Sequence, residues 1–81
     1  MELINANNHL SLEFDYEELD KIREAILSIY SNVSNTKGVS HETIVINGQN
    51  FILVDDYGDS ALISTSSEGD EILNRVFSLI K

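Results

Sequence analysis

Thr43-Ile44-Val45-Ile46-Asn47-Gly48-Gln49-Asn50-Phe51-Ile52-Leu53-Val54 is the stretch that decides the fold. Two runs rich in β-branched and aromatic residues flank Asn47-Gly48, the dipeptide that best tolerates the positive φ angles of a two-residue type I′ turn. The turn sets the register. With Ile46 facing Gln49, Ile44 lies opposite Phe51 and Thr43 opposite Ile52. Side chains alternate along a strand, so Ile44, Ile46, Phe51 and Leu53 share one face and Val45, Ile52 and Val54 the other.

Reading outward toward the carboxy terminus, Asp55-Asp56-Tyr57-Gly58-Asp59 forms a second turn, followed by a third strand, Ala61 to Thr65. Ser66 or Ser67 then caps a helix whose first turn holds Glu68, Asp70 and Glu71, acids suited to the positive end of the helix dipole. Ile72, Leu73, Val76, Phe77, Leu79 and Ile80 form its apolar arc, and Lys81 supplies a cation at its end.

Reading outward the other way, Asn32 to Gly38 is rich in turn-forming residues and reads as a mobile surface loop. Before it, Asp15 to Val33 carries every signal of an amphipathic helix. Asp15 and Glu18 form a capping box, Phe14 and Leu19 a hydrophobic staple, and Leu19, Ile22, Ile26, Ile29, Tyr30 and Val33 a single apolar stripe. His9 to Phe14 alternates cleanly as a strand, and Asn7-Asn8 suits either a hairpin turn or the middle of a longer strand.

The order β-α-β-β-β-α predicts a single α+β domain over residues 1–81: a two-layer sandwich with a three-stranded antiparallel meander, an N-terminal strand, and two helices packed on the sheet. If the helices cover the face of Ile44, Phe51 and Leu53, the reverse face still shows Val45, Ile52, Val54 and Leu62. A half-exposed sheet ordinarily alternates more strictly than this.

Composition narrows the function classes. The chain has 81 residues, 42% of them hydrophobic, and no cysteine, which excludes disulfides and thiolate metal sites. Fourteen acidic residues stand against five basic ones, a formal net charge of −9. That sign repels nucleic acid and anionic lipid and favours basic protein surfaces. No apolar run approaches the length of a membrane span, and no secretory signal opens the chain, so the expected location is the cytoplasm.

Catalytic patterns are missing. His9 and His41 lack a second histidine at metal-ligand spacing and read as solvent-facing, and no serine sits in a nucleophile elbow. The loop starting at Asp55 fails the EF-hand pattern, because Tyr57 takes the third ligand position and glycine falls at the fourth. Neither a cofactor, a metal nor an enzymatic reaction is expected.

The acids cluster beyond what capping and i,i+4 pairing require. Asp20 and Glu24 repel one another on the first helix, Asp55, Asp56 and Asp59 crowd one turn, and Glu68 opens the last helix. In size, in lacking cysteine and proline, in this acidic turn and in the hairpin-then-helix layout from Glu42 to Lys81, the chain resembles the small acidic inhibitors of phages and mobile elements, of the anti-CRISPR and DNA-mimic kind. The resemblance implies an inhibitor that occupies a basic, nucleic-acid-binding groove; an immunity protein or antitoxin against a basic nuclease would share these features. Asp20, Glu24, Asp55, Asp56, Asp59 and Glu68 are the expected partner contacts. The alternative is a homodimerising assembly domain that uses Val45, Ile52, Val54 and Leu62.

Overall fold

The computed structural model describes residues 1–6, 8–39, 41–56 and 59–80, with Asp56 through its backbone alone. Strands β1 (Glu2–Ala6) and β2 (His9–Asp15) lead into a 3-10 turn (Tyr16–Glu18) and helix α1 (Leu19–Ile29). Strands β3 (Val33–Lys37), β4 (Glu42–Ile46), β5 (Gln49–Asp56) and β6 (Asp59–Ser64) follow, then helix α2 (Ser67–Ile80). The strands form one sheet in the order β1-β2-β6-β5-β4-β3, and every neighbouring pair is antiparallel.

Turn chemistry fixes the registers. Asn47 (φ 51°) and Gly48 (φ 84°) take the positive angles of the expected turn, so Ile46 pairs with Gln49, Ile44 with Phe51 and Thr43 with Ile52. Asn8, at φ 71°, ends the link between β1 and β2, which is therefore a hairpin rather than one long strand. Asparagine is among the few residues with a Cβ that enter this region readily. Asn7, Tyr57, Gly58, Ser40 and Lys81 lie outside the described residues, so the tip of the 55–59 turn and the expected cation at the end of the last helix do too.

Several expectations need correction. The first helix does not reach Val33. The reciprocal cap is present, with the Asp15 N–H donating to Glu18 Oε1 at 3.1 Å, but it opens a 3-10 turn, and α1 stops at Ile29. Tyr30 turns extended, its N–H donating to Ile26 O at 2.8 Å. Asn32 O then accepts from the Asn47 N–H at 2.8 Å, which draws the chain to the hairpin tip, where Val33 pairs with Ile46. The stretch read as a mobile loop is thus the edge strand β3. The meander has four strands, not three, and the N-terminal element is a two-stranded hairpin joined to it through β2 and β6.

Both helices pack on one face of the sheet. Leu12 and Phe14 from β2, Leu62 from β6, Phe51 and Leu53 from β5, and Ile44 and Ile46 from β4 point into this layer. They meet Ile22, Ala25 and Ile26 of α1 and Ile72, Leu73 and Val76 of α2. Each of these side chains larger than alanine contributes roughly 1.5–3 kcal/mol of transfer free energy, which is the main stabilisation open to a chain with no disulfide. Among the described residues no buried side-chain polar atom lacks a partner.

Candidate protein-binding surface

Among the described residues no helix covers the sheet's reverse face. Its residues fall into rows that the registers define. The central row runs across all six strands as Ile4, Ser11, Ile63, Ile52, Thr43 and Thr36. Val45 and Val54 flank it. Ile63, Ile52, Val45 and Val54 are each only half-buried, and Ile4 is 37% exposed. This is an apolar strip open to water on a sheet side that would ordinarily be polar.

Carboxylates border the strip at one end. In the adjacent row Glu2 lies opposite Glu13, which lies opposite Ala61. In the last row Asp15 faces Asp59, and Asp59 occupies the register position opposite Asp56. Glu2, Glu13, Asp15 and Asp59 are all exposed. Directly opposed residues hold their Cβ atoms about 5 Å apart, and like charges so placed destabilise a sheet by a few tenths to ~1 kcal/mol per pair. Lysine and arginine are absent from the strand positions of this face. Lys21 and Arg23 are on α1, Arg75 is on α2, and Lys37 shares its row with Glu42, Leu53, Leu62 and Leu12 on the helix side.

The six acids expected to make one contact patch do not converge. Asp59 stands in the acidic row just described, and Asp56 holds a register position beside it. Asp55, next in the chain, points to the helix side, where its Oδ1 accepts from Ser60 Oγ at 3.1 Å. Asp20 and Glu24 are exposed on α1, in the layer on the opposite side of the sheet. Glu68 is at the far end, its Oε2 accepting from Gln49 Nε2 at 2.8 Å. Glu2, Glu13 and Asp15 complete the row instead, and only strand pairing reveals them. Val45, Ile52 and Val54 lie on the open face, as their alternation implies. Leu62 does not: it is 1% exposed and belongs to the core, because β6 pairs with β5 so that Leu62 faces Leu53.

His9 is not merely solvent-facing. Its Nδ1 lies 3.1 Å from Asp70 Oδ2, and the Leu10 N–H donates to Asp70 Oδ1 at 2.8 Å. Burial acts to raise the Asp70 pKa, but the Leu10 amide, the Ser64 hydroxyl and the His9 imidazole together outweigh it and hold the carboxyl below its ordinary value. The arrangement clamps α2 to the start of β2.

Among the described residues no three His, Asp or Glu side chains are grouped to hold a metal ion. No described helix is long and apolar enough to cross a membrane. No protein-family model, curated protein or solved structure matches the chain.

Proposed function

We propose that the chain is a non-catalytic protein-binding module of the cytoplasm whose open sheet face docks on a cationic protein surface, such as the groove of a nucleic-acid-binding protein that it inhibits. The observation that carries this reading is the juxtaposition of two carboxylate rows, with no lysine or arginine among them, and an apolar strip. Cross-strand repulsion would make the rows cost stability where they stand. Complementary charge would offset that cost and steer association, while the strip supplies the water-excluding contact that holds the complex. The resemblance to small acidic inhibitors implies the same class of partner.

A second copy of the chain could also cover the strip. The acidic rows oppose that arrangement whenever a two-fold axis parallel to the strands stacks them on one another. An axis perpendicular to the strands would separate them.

Affinity capture at low salt, followed by release with rising salt, tests the proposal. Wild-type protein and an Asp20→Lys/Glu24→Lys variant should both retain a basic nucleic-acid-binding protein. A Glu13→Lys/Asp59→Lys variant should lose it, and added DNA should compete it away. Loss in the α1 variant alone would move the site to the helix layer. A stable dimer in sedimentation that Val54→Lys breaks, with no basic partner captured, would favour self-association.

A further inference from the structure

Two helices do not fully cover six strands. At ~4.8 Å between strands the sheet is about 24 Å wide, while two packed helices shield roughly 20 Å. Helix α2 sits over β1, β2, β6 and β5 and α1 lies beside it, so the shortfall falls at β3 and β4. A cleft follows the flank of α1 there. One half, about 240 Å³, has Tyr16, Leu19 and Lys37 in its lining. The other, about 210 Å³, has Leu27, Val33 and Ile44. Arg23 and Glu42 line both halves and lie 3.6 Å apart, a bar across the middle. Leu27 overhangs this flank with 62% of its surface exposed. Among the described residues no strand lies beyond β3, so its outer backbone edge is open.

This flank is balanced in charge on an otherwise acidic molecule. Among the described residues there are four lysines and arginines, and two of them, Arg23 and Lys37, stand here beside the carboxylates of Glu42 and Asp55. Glu42, directly across from Lys37, already accepts from Asn35 Nδ2 at 2.7 Å and pairs with Arg23.

We infer that β3 takes up, as a seventh antiparallel strand, an extended segment of a partner protein that is acidic at one position and apolar four residues later. Backbone hydrogen bonds along the open edge would hold the segment, and its inward-facing side chains would set the choice of partner. The acidic residue falls beside Lys37. The apolar one falls beside Val33, under Leu27. A lysine on an otherwise unguarded edge repels basic strands, so the same residue selects for the acidic one. This site is separate from the reverse face and takes a partner of opposite charge.

Two synthetic peptides of about seven residues, a typical strand length, provide the test. Both are threonine-rich with a valine four positions after a charged residue, glutamate in one and lysine in the other. In NMR titrations of the intact protein, the glutamate peptide should shift the amides of Val33 to Lys37 and the methyls of Leu27, and should bind about tenfold more tightly than the lysine peptide. Lys37→Glu should invert that preference, a readout that stability alone cannot produce. Equal binding of both peptides, shifts centred on Ile52 and Ile63, or no shift at millimolar peptide would overturn the inference. So would protection of the β3 amides by dimerisation in the absence of peptide, which would make a second copy the occupant.

Discussion

Gly69 is a helix residue where alanine should be worse, although alanine is the better helix former. The Cβ of Gly69→Ala would stand 2.6 Å from Ser64 Oγ, 3.1 Å from Ser66 Oγ and 3.3 Å from Phe51 Cζ. In an exposed helix the substitution would stabilise by ~1 kcal/mol. Here the Ser64 hydroxyl must swing away, giving up its 2.9 Å bond to Ser66 O, a loss of about 1 kcal/mol. The Phe51 ring is fully buried and cannot retreat, and overpacking of this kind costs about 1–3 kcal/mol. Helix propensity and the lost bond roughly cancel, leaving a net destabilisation of about 1–3 kcal/mol. For a domain of this size that lowers Tm by roughly 5–20 °C. Thermal and urea melts of Gly69→Ala, Ser64→Ala and the double variant form a cycle. Removing the hydroxyl should make the alanine better tolerated, so the double variant should be more stable than the sum of the singles implies. A Gly69→Ala protein that melts at or above wild type, or a cycle with no coupling, would refute the close approach of α2 to β5 and β6.

Asp70 has its pKa depressed in the folded state, so the native protein binds fewer protons than the unfolded chain between the two pKa values, and stability rises with pH across that window. The contribution is complete above the unfolded pKa and lost as pH falls through the folded one. Urea midpoints of Asp70→Asn should therefore lie below wild type at neutral pH and converge with it in acid; parallel curves would show that the clamp carries no charge-dependent stability. Asp59→Asn should act in the opposite sense, raising stability by up to ~1 kcal/mol by relieving repulsion from its cross-strand neighbour Asp15. Added salt should narrow that gap, and a variant no more stable than wild type would mean that the acidic row costs nothing.

The hairpin around Asn47-Gly48 was legible to the residue, because turn type dictates register and register dictates which side chains share a face. Helix α1 was legible at its start, where capping is local, but not at its end. Tyr30 and Val33 continue the three- and four-residue spacing of the stripe, and nothing within the segment reveals that the Asn47 amide will draw Asn32 out of the helix. Strand β3 is not legible in the sequence, because an edge strand with one open flank has little apolar surface to bury. Its Ser34, Asn35, Thr36 and Lys37 are all exposed, a composition that reads as loop. The acidic rows were hidden for a different reason. Glu2, Glu13, Asp15 and Asp59 are scattered in sequence, and cross-strand pairing alone sets them side by side.

The junction of β2 with β6 also orders events in time. Ser11 pairs with Ile63, and Leu10 is bonded to Asp70, so the β1–β2 hairpin has no place in the sheet until β6 and the start of α2 have been made. On the ribosome this hairpin must wait, with Leu10, Leu12 and Phe14 uncovered, for β6 and α2 to arrive. Such distant closure slows folding. The meander from β3 to β6, whose neighbours in space are neighbours along the chain, is the part that can assemble early and serve as a template for the rest.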